Sequence, residues 1–323
     1  MFKRFLATSI ITVSLEKYFD RIYRNMENYF IIPVLMVVLA LTVLGGNYIL
    51  TGQVLTLGLD FTGGTEMQFS IDEEFSTQEI ESAFANAGRE DVEALEQVTT
   101  DETYLLLRAP PPELTEGEAV EVLEDEGFGV ELQSLSTIDA TVSEEFFRQA
   151  ILAFGIAFII MSTVVFIAFR DIVPSFAVIF AIAGDITFAM AGMALLDIPL
   201  TLGSLAALLM LIGYSVDTDI VLSTRVLKQR RGSLRDRVWS ATKTGLTMSS
   251  GGIAGFTLLY AVSWMIVGPS ELSNIAAVMV IGLLADMPLT WLGNAVVLKK
   301  YADGDMETAS EAASELGGML TWR

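Results

Sequence analysis

The octet GLDFTGGT, from Gly58 to Thr65, follows the first long apolar segment and opens a stretch that reads as a water-facing domain. Three of its eight residues are glycines, which allow sharp turns and close packing of the backbone. A phosphate-binding loop also uses glycines, but it needs a helix N-terminus and usually a lysine. Here residues 66–71 alternate like a strand, and no lysine is near. The octet is therefore predicted to shape the junction between a membrane segment and a folded domain, and not to bind a nucleotide.

Two glycines and one aromatic ring carry the steric part of this prediction. Gly63 and Gly64 are expected to adopt backbone conformations that a β-branched residue tolerates poorly, and the Phe61 ring is expected to be packed. The octet resembles the motif with which SecF-type members of the SecD/SecF protein-export family begin their external domain. SecD-type members usually have an LRGG-like core there, so this sequence favours the SecF type. The motif positions are Gly58, Asp60, Phe61, Thr62, Gly63 and Gly64.

The composition indicates an integral membrane protein, since 52% of the residues are hydrophobic. Segments of roughly 20 mostly apolar residues are long enough to cross a bilayer as a helix. Six segments meet this condition, at Tyr29–Leu50, Gln149–Phe169, Pro174–Leu196, Leu200–Thr224, Gly245–Val267 and Leu272–Leu298. We number them span one to span six.

The basic residues predict the orientation, because cytoplasmic segments of membrane proteins are enriched in Lys and Arg. With six spans, the basic clusters before span one, between spans two and three, between spans four and five, and after span six all fall on one side. Both termini are therefore predicted to be cytoplasmic in a multi-pass protein of the cell membrane, with residues 51–145 external. The chain is then divided into a cytoplasmic segment (1–28), the first transmembrane helix (29–50), an external α+β domain (51–145), a five-helix bundle (149–298) and an acidic cytoplasmic tail (299–323).

The N-terminus, Met1–Leu15, has two interpretations. Lys3 and Arg4 precede an apolar run, as in a signal peptide, but the run is short and no small-residue cleavage site follows it. We expect a cytoplasmic helix that lies along the membrane, and a cleaved signal is the alternative.

The external segment is predicted to fold as a ferredoxin-like βαββαβ sandwich. Two helix starts carry the capping-box pattern, at Ser76 with Glu79 and at Thr115 with Glu118. The expected elements are strand Val54–Ile71, a helix from Ser76 to Ala87, strands Asp91–Val98 and Thr103–Arg108, a helix from Thr115 to about Gly127, and strand Val130–Ile138. This fold is common to unrelated functions and indicates none by itself.

The composition also excludes several kinds of chemistry. The chain has neither cysteine nor histidine, so disulfides, thiol chemistry and imidazole proton shuttles are excluded. We predict no catalytic residues, no metal site, no cofactor and no nucleic-acid partner. The net charge of −21 with few lysines favours adaptation to high salt, where screening keeps a dense carboxylate surface hydrated. An ordinary acidic domain is the alternative.

Four aspartates within the spans are the candidates for ion coupling: Asp185 in span three, Asp217 and Asp219 in span four, and Asp286 in span six. A charge at the bilayer centre costs at least about 2.5–3.5 kcal/mol, so these helices should be shielded in a bundle or around water. Asp217 and Asp219 lie about 200° apart around a helix and cannot both face one partner. We expect Asp217 to be the main group with Asp185 as its helper, and Asp219 to meet Arg225 or solvent. Alternatively, all four are neutral, hydrogen-bonded packing residues.

The heptad GYSVDTD, from Gly213 to Asp219, resembles the motif of the family's fourth span, with Gly213, Tyr214 and Ser215 as its shared part. Bacterial members typically read Asn-Asp-Thr where this chain reads Asp217-Thr218-Asp219, so the acid is shifted by one position. Bacterial members also place an arginine in span five, and that position falls near Ser240 here. Lys243 lies three residues beyond it in the sequence and is the candidate cation.

Small residues in spans five and six, among them Gly251, Gly252, Gly255 and Gly282, allow helices to approach closely. They serve either packing within this chain or a seam with a second, similar half. One external domain with six spans is the size of half an RND-type unit, a class that pairs two such halves.

The resemblance implies a SecF subunit of archaeal type that works with SecD beside the Sec protein-conducting channel, among membrane lipids. It implies assistance in the late translocation of emerging secreted polypeptides, with ion movement at the SecD seam as the driving force. Half of an RND-type proton-driven efflux or lipid transporter is the main alternative. A membrane scaffold whose aspartates are purely structural is a third.

Overall fold

Six long helices and one small sheet make up the described part of the chain. The computed structural model describes residues 16, 18–71, 75–98, 103–229, 231–268 and 270–304. Within these residues, six helices are long and apolar enough to cross a membrane, which confirms the predicted number of spans. Spans one to six run over Ile31–Thr51, Ala140–Phe169, Ile172–Leu195, Leu202–Ser223, Leu234–Val267 and Glu271–Pro288.

Two of the spans continue past their α-helical part as π-helical turns. Span four continues through Thr224–Lys228. Span six contains Pro288 and continues through the turn Leu289–Asn294 into the short helix Ala295–Ala302. Such turns are rare and occur frequently at functional sites.

The domain that is predicted to be external, which we call the external domain, has the predicted βαββαβ order. Its elements are β1 Gly64–Ile71, α1 Thr77–Asn86, β2 Glu93–Val98, β3 Thr103–Ala109, α2 Glu116–Asp125 and β4 Val130–Ile138. The strands form an antiparallel sheet in the order β2-β3-β1-β4. Alternate side chains of β1 and β3, including Met67, Phe69 and Leu105, face the helices and pack on Ile80 and Phe84. The other face of the sheet is thereby left for the membrane bundle.

Two local predictions in this domain are wrong. The predicted strand Val54–Ile71 begins only at Gly64, because Leu59–Thr62 forms a single helical turn that ends at Gly63. Ser76 does precede α1, but its side chain makes no capping hydrogen bond, so the box with Glu79 does not form.

The second capping box forms as predicted. The Thr115 hydroxyl accepts from the Glu118 amide, and the Glu118 carboxylate accepts from the Thr115 amide at 3.0 Å. These bonds hold the pKa of Glu118 below its usual value, because they favour the ionised carboxylate.

The octet lies where the external domain meets the bundle. The Gly58 amide donates to the Leu200 carbonyl at 2.7 Å, and the Leu200 amide donates to the Thr56 carbonyl at 2.8 Å. Asp60 accepts from the amide of Leu202, the first residue of span four, at 2.8 Å. The external domain is therefore fixed to the end of span four by main-chain bonds and by a carboxylate at a helix N-terminus, where an anion is favoured.

The two glycines of the octet have the geometry that the steric argument requires. Gly63 has φ of 72° and Gly64 has φ of 116°. A Cβ on Gly63 would lie 2.9 Å from the Cα of Ala140, and one on Gly64 would collide with the Ala109 carbonyl oxygen. The Phe61 ring is buried and meets Phe147 edge-on.

Spans three, four and six form the interior of the bundle. Their most apolar windows are 50%, 50% and 56% buried, whereas those of spans one, two and five are 11%, 11% and 6% buried. All four candidate aspartates lie on these three inner helices.

The described N-terminal residues pack against the end of the bundle away from the sheet. Residues 18–24 are helical, and Phe19 and Met26 are buried beside Trp239 and Val296. Arg235 pairs there with Glu16 and Asp20. The predicted membrane-surface helix, Met1–Leu15, and the acidic tail from residue 305 lie outside the described residues.

Candidate functional site: a buried carboxylate network

Three of the four candidate aspartates come together inside the bundle. Asp185, Asp219 and Asp286 have no solvent-exposed surface, although they come from three different spans. Side-chain hydroxyls connect them, and we call this group the carboxylate network.

The connections run from span three to the far end of span six. Ser215 Oγ donates to Asp185 Oδ2 at 2.5 Å, and Ser215 is also a neighbour of Asp286. Thr290 Oγ1 lies 3.1 Å from Asp286 Oδ1 and 3.2 Å from Asp219 Oδ1. The order along the network is therefore Asp185, Ser215, Asp286, Thr290 and Asp219.

Two further polar side chains complete the network. The Asn294 amide donates to Asp219 Oδ1 at 2.7 Å. The Ser249 hydroxyl of span five lies 3.4 Å from Asp286 Oδ2. The network thus draws on four spans, and Asn294 is its last member on span six.

Helical spacing accounts for this arrangement. Ser215 and Asp219 are four residues apart on span four, so they lie on one face. On span six, Asp286, Thr290 and Asn294 also recur at intervals of four, across the π-helical turn. Two apolar helices therefore each present a polar stripe to the other, and the network forms where the stripes meet.

The hydroxyls restrict which protonation states are compatible with the contacts. A Thr or Ser hydroxyl has one hydrogen, so it donates to only one carboxylate at a time. Thr290 has a carboxyl oxygen within hydrogen-bond distance on each side. Both contacts of such a hydroxyl are hydrogen bonds only when one of its two carboxyl groups carries a proton and donates it. The geometry therefore suits a chain of acids that shares protons.

No described Lys or Arg pairs with the network. All ion pairs among the described residues lie elsewhere. The Arg225 guanidinium instead donates to the Ser240 carbonyl and hydroxyl at 2.5 and 2.7 Å, and the Lys243 ammonium lies over the Trp239 ring. Negative charge in the network therefore has no protein counter-charge among the described side chains. Buried charge of this kind is costly, so protons or a small cation would compensate it.

The network also has open acceptor positions. Asp185 Oδ1 and Asp219 Oδ2 are buried and accept no hydrogen bond from the described residues. No described group of three or more Asp or Glu residues has the arrangement of a metal site.

Asp217 lies apart from the other three aspartates. It is on the exposed face of span four, together with Gly213 and Tyr214, while Asp219 points inward. The prediction that Asp217 and Asp219 face different surroundings is confirmed. The pairing of Asp217 with Asp185 is not observed, because Asp185 bonds to Ser215 on the opposite face of span four.

The expected surroundings of Asp219 were wrong. It meets neither Arg225 nor solvent, because the π-helical turn of span six places Thr290 and Asn294 against it. Arg225 reaches Ser240, the position near which the bacterial arginine was expected.

Sequence reasoning missed Ser249, Thr290 and Asn294. The signal for Thr290 and Asn294 was the four-residue recurrence of polar side chains after Asp286 in an otherwise apolar helix. Ser215 was named only as part of a motif, and the structure gives it a direct bond to a buried carboxylate.

Comparison with known proteins places this architecture in one family. The family description "Protein export membrane protein SecD/SecF, C-terminal" matches residues 119–304, and "SecD/SecF GG Motif" matches residues 48–74. The chain is similar to "Protein-export membrane protein SecF" of Methanothermobacter thermautotrophicus, with 39% identity over 88% of this chain and 95% of that one. The protein of the same name from Haloquadratum walsbyi is 36% identical over 86% and 94%.

A solved structure has the same fold. SecDF, described as a translocon-associated membrane protein from Thermus thermophilus, superposes with a TM-score of 0.66 at 20% identity. The match covers 86% of this chain and 38% of the SecDF chain. The matched family description spans more than half of the chain, and the matched SecF proteins are covered almost end to end. The chain belongs to the SecD/SecF family of protein-export membrane proteins, in its SecF branch.

Proposed function

We propose that the chain assists the late translocation of secreted polypeptides as a SecF-type subunit, bound to SecD beside the Sec protein-conducting channel and coupled to ion movement. The observation that carries the coupling is the carboxylate network, which joins three buried acids through hydroxyls inside an apolar bundle. Acids without a protein counter-charge at this depth are expensive to keep, and such residues typically mark ion or proton pathways.

The network is a relay site within one layer of the membrane. Ser215 and Asp219 are separated by about 6 Å along span four. A proton that enters at one end moves by hydroxyl reorientation at Ser215 and Thr290, with Asp286 as the shared acid between them. The hydrocarbon core is about 30 Å thick, so a complete path needs groups beyond this network.

Asp217 is the group that we assign to the seam with SecD. A carboxylate that faces lipid is costly, so an exposed acid within a span requires a partner. Gly213 lies on the same face, and Gly251 and Gly255 of span five have no neighbouring atoms within 4 Å of an added Cβ. These small residues leave room for helices of a second half to approach closely. Asp217 thus faces the partner, while the other three acids form the inner relay.

The external domain is the part that we assign to the emerging polypeptide, with residues 51–145 outside and both termini in the cytoplasm. The distribution of basic residues supports this orientation. The sheet face that looks toward the membrane encloses a cavity of about 730 Å³ lined by Glu66, Glu93, Glu96 and Arg108 together with Asp197 and Glu271 at the ends of the spans.

The test is export by cells that carry Asp286→Asn, compared at matched protein levels with Glu124→Gln on the surface of α2. Asp286 contacts the Thr290 hydroxyl and neighbours Ser215, so Asp286→Asn should slow export while co-purification with SecD persists. Glu124→Gln should export as the unmodified protein does. Normal export by Asp286→Asn would show that the relay is not needed. Co-purification with an efflux partner in place of SecD and the channel would favour the RND-transporter alternative.

A further inference from the structure

A side groove opens between spans one, three and six at the end of the bundle away from the sheet. Its volume is about 460 Å³. Its walls are apolar, and Asn294 is the one polar side chain among the described residues that line it. Its walls include Val34 of span one, Phe176 of span three and Val297 of the helix that continues span six.

The dimensions of the side groove fit one hydrocarbon chain. It extends from Phe30 to Val37 along span one and from Ile172 to Ala181 along span three, which corresponds to roughly 10–14 Å at helical rise. Half of a bilayer's hydrocarbon core is about 15 Å thick. A ten-residue helix of 10 Å diameter would displace roughly 1,200 Å³ and is too large for this space.

The floor of the side groove is continuous with the carboxylate network. Asn294 is only 3% exposed, and its Nδ2 donates to Asp219. Its Oδ1 is buried and accepts no hydrogen bond from the described residues. The described side chains therefore leave this buried oxygen without a hydrogen-bond donor.

Two basic residues lie close in the sequence to wall residues of the side groove. Lys300 is three residues beyond Val297 on the same helix face, and Arg170 precedes Ile172 by two residues and is exposed. Among the described residues, the Lys300 ammonium pairs with a surface carboxylate, that of Glu27, at 3.4 Å. Exposed pairs of this kind are weak, so Lys300 remains available to a stronger anion. Lys299 points elsewhere, over the Tyr23 ring.

We propose that the side groove binds one chain of an anionic membrane lipid, with the headgroup phosphate at Lys300 and Arg170 and the chain packed over Asn294. The lipid seals the floor of the groove and keeps water from reaching Asp219 by this side. The inference depends on the groove and its charges and is independent of the proposed export function.

The test counts bound lipid by native mass spectrometry after release of the full chain from nanodiscs of phosphatidylglycerol and phosphatidylcholine. The unmodified protein should retain one phosphatidylglycerol. Val34→Trp fills the groove from its rim and should abolish retention. Ile159→Trp is the matched control, because Ile159 is a lipid-facing residue of span two, 65% exposed and outside the groove. Equal helix content by circular dichroism would show that both variants fold.

The headgroup is tested by a second pair of variants. Lys300→Ser should lower the preference for phosphatidylglycerol over phosphatidylcholine about fivefold, as expected for one cation near the membrane surface. Lys299→Ser should leave it unchanged. Absence of retained lipid in the unmodified protein, or equal retention by Val34→Trp and Ile159→Trp, would overturn the proposal. So would cross-linking of a Phe176→Cys variant to a partner's span in native membranes, because a helix would then cover the groove.

Discussion

Thr290→Val is the sharpest perturbation of the carboxylate network, because it removes one hydroxyl and nearly preserves the shape of the side chain. The Thr290 hydroxyl contacts Asp286 at 3.1 Å and Asp219 at 3.2 Å, and both carboxyl groups are buried. Leaving a buried acceptor without its donor costs about 1–3 kcal/mol. We therefore expect Thr290→Val to lower the free energy of unfolding by about 1–3 kcal/mol and to interrupt proton exchange between the two acids.

The matched control is Thr187→Val in span three. The Thr187 hydroxyl donates only to the Ala183 carbonyl of its own helix, at 2.7 Å. That carbonyl keeps its place in the helix when the hydroxyl is removed. Thr187→Val should therefore lower the free energy of unfolding by only roughly 0–0.5 kcal/mol. Reversible unfolding in mixed micelles measures the stability difference, and export at matched protein levels measures the relay. If the two valine variants are equally stable and export equally well, the bridging role assigned to Thr290 is wrong.

Two further predictions concern the external domain and the orientation. Gly64→Ala should destabilise the junction far more than Gly88→Ala does. Both glycines have positive φ, but only at Gly64 would the new Cβ collide with the backbone. Protease sensitivity of the purified chain measures the difference, and equal sensitivity of the two variants would refute the steric argument. A cysteine at Ser82 should react with an impermeant thiol reagent in intact cells, while one at Ser233 should not, and the reverse pattern would reject the proposed orientation.

The number of spans and the strand order of the external domain were predictable because they depend on local signals. A run of about 20 apolar residues and alternation over a few residues are properties of single segments. The junction was less predictable. Gly63 was correctly singled out as a turn, but the helical turn Leu59–Thr62 before it is set by contacts with the ends of spans two and four, which lie far away in the sequence.

The site was only partly predictable, for a related reason. The rotation between Asp217 and Asp219 follows from helix geometry, and the sequence alone separates them. Which of the two faces the interior depends on the side of span four that span six covers. That contact places Thr290 and Asn294 against Asp219, and no periodicity within span four reveals it.

Span four provides a mechanical connection between the carboxylate network and the external domain. Ser215 and Asp219 lie on this helix, and its first amide, that of Leu202, is held by Asp60 of the octet. At the same end, the Glu271 carboxylate at the start of span six accepts from the Thr201 hydroxyl at the start of span four.

The two helices that meet at the network are thus tied together where they approach the sheet. In the proposed coupling, a change in protonation that shifted span four against span six would act on the same end that anchors Gly58 and Asp60. The external domain has main-chain bonds to that end through Leu200, so it would follow the helix as a body. Under the proposed coupling, the glycines of the octet would have a mechanical role as well as a steric one, because a tight junction transmits a displacement that a loose linker would absorb.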